Sequence, residues 1–134
     1  MRPKFGTIGQ IKKGNPLYAR EGSSAFDVAT RLLDTGHTGM PVIDETDRVI
    51  GVVSEQDILR ALRGSQPLET LQVNEIMTPI AIVVDETATL EEASEAMEDL
   101  QIHRLPVVRG EKLVGTITRH DLIRAWLGLN VEAA

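Results

Sequence analysis

The chain contains the same sequence pattern twice, and this duplication limits the folds that it can adopt. Residues 51–62 read GVVSEQDILRAL, and residues 115–126 read GTITRHDLIRAW, with the glycine, the hydroxyl residue, the aspartate and an apolar run in matching places. Upstream of them, MPVI at 40–43 matches LPVV at 105–108. The spacing between the halves changes by one residue in the turn that follows, where a hairpin loop tolerates a change in length. The sequence therefore predicts two similar half-folds.

Each half has a pattern typical of the order βαββα. A short extended stretch, PLYA at 16–19 or IAIVV at 80–84, precedes a helix. Two β-rich runs joined by a turn follow, and a second helix closes each half, at 55–62 and at 119–127. The predicted fold class is α+β, with the two repeats related by an approximate two-fold, their sheets packed together and their helices outside. Since neither half buries enough apolar surface alone, we expect one shared core with ligand clefts between the halves.

Hydroxyl residues mark the predicted start of the first helix in each half. Ser24 has Asp27 three positions on and Thr89 has Glu92, and such pairs can form a capping box. In the second half, the apolar residues of this helix share one face and leave the acids outward. They are Leu90, Ala93, Met97 and Leu100.

The predicted boundaries divide the chain into five parts. Residues 63–72, RGSQPLETLQ, are polar and contain Gly and Pro, which is typical of a linker. The parts are a basic N-terminal segment at 1–13, the first repeat at 14–63, the linker at 64–72, the second repeat at 73–128 and a C-terminal tail at 129–134.

The amino-acid composition argues against several classes of function. The net charge of −6 argues against a general nucleic-acid binder, which needs a basic face to neutralise phosphates. The absence of Cys excludes disulfides and thiolate metal sites. No apolar run approaches the roughly 18 residues of a membrane span, and the N-terminus lacks a signal-peptide core, so we expect a cytoplasmic protein without membrane contact.

Charge is spread unevenly along the chain. Residues 85–99 contain seven acids and no base. This run is either the solvated face of a helix or a docking surface for a basic partner, and the sequence leaves both interpretations open.

The repeated motif is glycine, two apolar residues, Ser or Thr, any two residues and Asp, at a predicted strand-to-helix junction. The glycine lets another group approach the backbone closely. Ser54 or Thr118 stands where free N–H groups of a helix favour an anion such as phosphate. Asp57 or Asp121 can accept hydrogen bonds from a vicinal diol such as that of ribose. Together these features indicate a nucleotide, although the same spacing is also a helix cap that needs no ligand.

The duplicated unit, PVI…GVVSEQDILRAL and PVV…GTITRHDLIRAW, resembles a tandem pair of CBS domains (a Bateman module) over about residues 14–128. The resemblance implies regulatory binding of AMP, ADP, ATP or S-adenosylmethionine, with no required cofactor and with modulation of a partner protein. It also implies that the motif Asp holds the ribose hydroxyls, that the motif Ser or Thr lies near ribose or phosphate, and that adenine inserts between aliphatic side chains and backbone.

The two sites are not expected to be equal. His103, Arg104 and Arg119 surround the second motif, where the first has Thr38, Gly39 and Glu55, so phosphate should prefer the second. The predicted main site consists of Thr118, Asp121, Arg104, His103, Arg119, Leu105, Pro106 and Ile80. The predicted weaker site consists of Ser54, Asp57, Met40, Pro41 and Gly39.

No motif or residue pair indicates catalysis. A nucleophile with a neighbouring base is not evident, and the three histidines lack metal-ligand spacing, so we expect neither an enzyme nor a metal site. The expected partners are an adenosyl molecule, a second copy of the chain and a regulated protein. The alternative is a structural interaction module whose clefts are closed by its own side chains.

Overall fold

The computed structural model describes residues 6–11, 13–79 and 82–129. Within them lie two three-stranded sheets, ordered β1-β2-β3 and β4-β5-β6, in which the first pair of strands is parallel and the second antiparallel. The predicted α+β class and the repeated order βαββα are confirmed. The elements are β1 (Ala19–Arg20), α1 (Ala25–Thr35), β2 (Gly39–Ile43), β3 (Val49–Ser54), α2 (Glu55–Arg63), α3 (Val73–Ile76), β4 (Val84–Asp85), α4 (Leu90–Leu100), β5 (Arg104–Arg109), β6 (Lys112–Thr118) and α5 (Arg119–Trp126), after a 3₁₀ turn at Ile8–Gln10.

The chain forms two compact units whose boundaries differ from those of the repeats. One unit, here the repeat-1 unit, is residues 17–81, and the other, the repeat-2 unit, combines 1–16 with 82–134. The segment that precedes each repeat in the sequence therefore belongs to the unit built on the other repeat. We call residues 7–14 and 71–78 the exchanged segments.

The first exchanged segment is part of the repeat-2 unit. Ile8 and Ile11 are fully buried in its core, and the Ile8 N–H donates to the Ala88 carbonyl at 2.9 Å. Gly14 and Thr116 exchange two backbone hydrogen bonds of 3.0 Å, which attaches the segment to β6. Residues that the sequence indicated as a separate basic segment at 1–13 thus supply core side chains.

The second exchanged segment does the same for the repeat-1 unit. Val73 is fully buried, and Thr78 exchanges backbone hydrogen bonds of 2.8 and 2.9 Å with Val52 on β3. The stretch predicted as a linker at 64–72 is also packed, because Leu68 is buried and its carbonyl accepts from the Phe26 N–H at 3.1 Å. The second segment repeats the first one's pairing 64 residues later.

The helix starts follow the predicted caps with one difference. Thr89 and Glu92 form the expected capping box at the start of α4. Ser24 accepts from the Phe26 and Asp27 N–H groups, but the Asp27 carboxylate does not accept from the Ser24 N–H in return. The prediction of a capping box at this helix start is therefore wrong. Leu90, Ala93 and Met97 are buried as predicted, whereas Leu100 is 46% exposed because it lies at the end of the helix.

The two hairpins differ in their turns, where the spacing between matching residues of the two repeats changes by one. The turn between β2 and β3 has five residues and is organised by Asp44, whose Oδ1 accepts from the Thr46 N–H and hydroxyl, each at 2.8 Å. The Thr46 hydroxyl is the main cause that lowers the pKa of Asp44. The β5–β6 turn has two residues, with Gly110 at a φ of 67°. Counted between the matching strand pairs Ile43–Val49 and Val108–Leu113, the loops have five and four residues, which is the one-residue change that the sequence predicts.

Candidate functional site

The second copy of the motif lies at the junction of β6 and α5. Thr118 has extended backbone angles and caps the helix, with its Oγ1 accepting from the Asp121 N–H at 3.1 Å. Asp121 Oδ2 accepts in return from the Thr118 N–H at 2.9 Å. Its other oxygen, Oδ1, lies 3.6 Å from Arg124 Nη1, and the side chain is 17% exposed. The motif is thus a capping box whose carboxylate is in contact with solvent.

The first copy has the same cap, but its carboxylate is more enclosed. Asp57 is only 3% exposed, and its Oδ2 accepts from the Ser54 N–H at 2.8 Å and from the Ser54 hydroxyl at 3.0 Å. Its Oδ1 accepts from Arg60 Nη1 at 3.1 Å and from the Thr78 hydroxyl at 3.2 Å. Four donors therefore occupy a group that has about four lone-pair sites.

The cationic side chains predicted around the second motif are brought together. Arg104 is the residue opposite Thr118 in the β5–β6 ladder. The Arg119 N–H donates to the His103 carbonyl at 3.2 Å, and the Arg119 guanidinium is hydrogen-bonded to the His103 imidazole. All three side chains are exposed. The N-terminus of α5 thus has three basic side chains beside it.

The first motif has the same backbone arrangement with different side chains. Gly39 is opposite Ser54, and the Glu55 N–H donates to the Thr38 carbonyl at 2.9 Å. A carboxylate therefore stands at the helix start where the second motif has a guanidinium, and glycine stands where it has Arg104. The side chain at the helix start therefore repels an anion at the first motif and attracts one at the second.

The aliphatic residues predicted to contact a ligand lie mostly in the cores. Leu105 is completely buried in the core of the repeat-2 unit, and Met40 lies in that of the repeat-1 unit. Pro41 is buried as well, and Pro106 is half-buried. Ile80 lies outside the described residues.

The motif glycine makes a close approach, but to protein atoms. A Cβ at Gly51 would lie 2.6 Å from the Thr78 carbonyl oxygen and 2.7 Å from Met77 Sδ. At Gly115 it would lie 3.0 Å from the Lys13 Cβ. The groups that need the absent side chain belong to the exchanged segments. The prediction that the glycine lets another group approach the backbone is confirmed, and in this structure the approaching group is protein.

A groove of about 730 Å³ lies beside α4 and α5 in the repeat-2 unit. Trp126 packs on the core of that unit and lines the groove. His103 and Arg119 are at the groove, whereas Thr118 and Asp121 are not among its lining residues. The lining residues other than His103 and Arg119 were not predicted as site residues, because no sequence motif distinguishes them from other helix residues. The lining residues are Ser94, Met97, Glu98, Gln101, His103, Arg119, Leu122, Ile123, Trp126 and Leu127.

In residues 6–11, 13–79 and 82–129, no group of three or more His, Cys, Asp or Glu side chains could hold a metal ion. No helix in the same ranges has the length and apolar character to cross a membrane.

Comparison with known families agrees with this geometry. The profile of the CBS domain matches residues 8–64 and again residues 73–128. The chain belongs to the CBS-domain family. The first match begins within the first exchanged segment, so the family repeat includes residues that pack in the other unit of this CBS pair.

Relatives of this CBS pair include plant proteins and solved structures. The chloroplastic CBS domain-containing protein CBSX1 of Arabidopsis thaliana is 32% identical over 93% of this chain. The chain spans 66% of the length of CBSX1, and 37% of an uncharacterised 33.4 kDa protein of Thermofilum pendens.

Two solved structures have the same fold over most of their length. The crystal structure of CBSX2 in complex with AMP has a TM-score of 0.72 and 33% identity, covering 91% of this chain and 96% of that one. The CBS domain pair of protein MJ0100, in complex with 5′-methylthioadenosine and S-adenosyl-L-methionine, has a TM-score of 0.67 and 25% identity, covering 90% and 94%.

Proposed function

We propose that this CBS pair is a regulatory module that binds an adenosyl ligand at its second motif and responds by modulating a partner protein. The observation that carries the proposal is the convergence of Thr118, Asp121 and three exposed basic side chains at the start of α5. The complexes of CBSX2 with AMP and of MJ0100 with two adenosyl compounds support it.

Each group at the second motif has a defined chemical role in this proposal. The Asp121 carboxylate, whose side chain is 17% exposed, accepts from the ribose diol. Arg104 and Arg119 attract the phosphate of a nucleotide, to which guanidinium groups make charge-assisted hydrogen bonds, and His103 is hydrogen-bonded to Arg119. Thr118 and the positive end of the α5 dipole lie beside the same phosphate. These are binding roles and involve no bond-making step.

Binding is tested by thermal unfolding with AMP, ADP, ATP, adenosine and S-adenosylmethionine. A ligand at a hundred times its dissociation constant stabilises the folded protein by about 2.7 kcal/mol, which such an experiment detects. Asp121→Ala should abolish the ligand-induced shift. The shift, rather than the absolute melting temperature, is the readout, because the substitution also removes part of a helix cap. If millimolar concentrations of all five compounds leave the melting temperature unchanged, the structural interaction module is the better description.

Arg104→Gln should separate phosphate recognition from adenosine recognition. The substitution removes a cation beside the α5 N-terminus, so AMP affinity should fall about tenfold. Adenosine and S-adenosylmethionine carry no phosphate and should bind as before, which calorimetric titration measures. Arg109→Gln is the matched control, because Arg109 is the exposed residue at the other end of β5 and pairs only at the surface with Glu86. Equal losses for AMP and adenosine would refute the assigned role.

We also propose that two copies of the chain associate through their helices. Support comes from large apolar side chains that the helices leave exposed, among them Leu59 on α2 and Ile123 on α5. Sedimentation equilibrium should give twice 14.7 kDa for the wild type and 14.7 kDa for the double variant Leu59→Glu/Ile123→Glu. Ile82→Glu is the control, since Ile82 is an exposed apolar residue outside the helices and should leave the dimer intact. A monomeric wild type would refute this assembly.

A further inference from the structure

The groove beside α4 and α5 has an apolar lining and a basic end. Met97 and Leu122 of its lining are buried in the core, and Ile123 is 57% exposed at its edge. Arg119, the first residue of α5, also lines it and is hydrogen-bonded to His103, which follows the last residue of α4 by three positions. The groove is therefore basic at the end where α4 stops.

Along α4 the side of the groove is acidic. This helix has five acids and no base. Glu98 lines the groove, and Glu91 lies two turns earlier on the same helix face. Within the described part of the chain, neither of these two carboxylates has an ion-pair partner. The charge beside the groove thus changes from positive at Arg119 to negative toward the start of α4.

The exposed face of α2 in the repeat-1 unit has the complementary pattern. Glu55, Leu59, Leu62 and Arg63 are all exposed, and their spacing of four, seven and eight residues from the first places them along one side of the helix. Glu55 and Arg63 are about 12 Å apart along the helix axis. This face therefore has an acid at its start, two leucines in the middle and a base at its end.

The other helices with exposed apolar side chains do not have this order of charges. The α1 helix carries Asp27 near its start and Asp34 near its end. The α5 helix carries Arg119 at its start and Arg124 near its end. In either direction along the groove of a second copy, α1 would place an acid toward the acids of α4 and α5 would place an arginine toward the basic end. Like charges that face each other across an interface oppose binding.

We infer that α2 of one copy binds in the α4–α5 groove of a second copy. Its Glu55 lies toward Arg119 of the second copy, its two leucines contact the apolar lining, and its Arg63 lies toward the acids of α4. A two-fold axis between the copies makes this contact occur twice in one dimer. The inference rests on the homodimer of the proposed function and adds which faces meet.

A contact between like faces is the competing arrangement. It would place the groove of one copy against the groove of the other, and so bring two α4 helices with five acids each to one interface. The two arrangements make different predictions for crosslinking. In the inferred arrangement Leu59 of one copy lies near Ile123 of the other, whereas in the competing arrangement Ile123 lies near its own equivalent.

Single introduced cysteines report which faces meet, because the chain has no cysteine of its own. Leu59→Cys and Ile123→Cys proteins are mixed in equal amounts, allowed to exchange subunits and treated with a short bis-maleimide crosslinker. We expect a covalent dimer from the mixture and none from either variant alone. Ile82→Cys mixed with Leu59→Cys is the control and should give none, since Ile82 is exposed but lies outside the helices. A covalent dimer from Ile123→Cys alone, or none from the first mixture, would overturn the inference.

Charge reversal tests the position of Arg63 by the sign of its effect. Arg63→Glu should weaken dimerisation at least tenfold in sedimentation equilibrium, because it places a carboxylate toward Glu91 and Glu98 of the second copy. In a Glu91→Lys/Glu98→Lys background the same substitution should strengthen dimerisation at least tenfold. Asp99→Lys is the control background, because Asp99 is an acid of α4 that does not line the groove, and there Arg63→Glu should weaken the dimer as in the wild type. An equal effect of Arg63→Glu in all three backgrounds would contradict the inferred contact.

The outcomes separate this inference from the proposed function. A wild type that sediments as a monomer overturns the proposed dimer and the inference with it. A dimeric wild type whose Ile123→Cys variant crosslinks to itself overturns the inference alone. Binding of an adenosyl ligand at the second motif is measured by the ligand-induced shift in melting temperature, so that part of the proposed function stands or falls independently of the faces that meet.

Discussion

Gly51→Ala is expected to lower the free energy of unfolding by about 3 kcal/mol. The added Cβ would lie 2.6 Å from the Thr78 carbonyl oxygen, a backbone atom held by its pairing with Val52, and 2.7 Å from Met77 Sδ. Relief requires the exchanged segment to move off β3. In a chain of 134 residues such a loss lowers the melting temperature by about 10 °C. Urea unfolding followed by circular dichroism measures it.

Two glycines serve as controls for this prediction. Gly115→Ala should cost about 1 kcal/mol, since its Cβ would press at 3.0 Å on the side chain of Lys13 and not on backbone. Gly64→Ala should be close to neutral, because its nearest neighbours would be 3.5 Å away and its φ is −80°. If all three alanine variants have the same stability, the close approach of the exchanged segment does not explain why the motif has glycine at this position.

Features that depend on nearby residues could be predicted from the sequence. The order βαββα follows from hydrophobic periodicity and turn residues, and Ser54, Thr89 and Thr118 begin helices because their side chains satisfy N–H groups three positions on. The gathering of His103, Arg104 and Arg119 could be predicted as well, because the short β5–β6 hairpin places the start of β5 opposite the end of β6.

Features that depend on distant residues could not be predicted. Nothing local in residues 7–14 indicates that Ile8 and Ile11 pack in the unit of the second repeat, because that contact joins positions about 80 apart. The identity of the group that approaches Gly51 could not be predicted either, because its neighbours Met77 and Thr78 come from the other exchanged segment. Leu105 and Met40 are predicted ligand contacts, and the structure places them in the cores of their units, which the residues around them do not indicate.

Asp57→Ala is expected to lower the free energy of unfolding by about 3 kcal/mol, and Asp121→Ala by about 1 kcal/mol. The first substitution removes the acceptor of four hydrogen bonds, two of them from Ser54, and the carboxylate that accepts them is only 3% exposed. At Asp121 the side chain is 17% exposed, so water can replace part of what the carboxylate accepted. Chemical unfolding without ligand measures both values.

The difference between the two aspartates matters because each of them serves both as a cap and as a candidate ligand group. A carboxylate that is needed mainly for stability should show a large loss without ligand, and its substitution should leave AMP affinity unchanged. We expect this for Asp57. A carboxylate used for binding should show the opposite pattern, which we expect for Asp121. Equal losses of stability at the two positions would mean that the Thr78 hydroxyl and the deeper burial of Asp57 add nothing to the first cap.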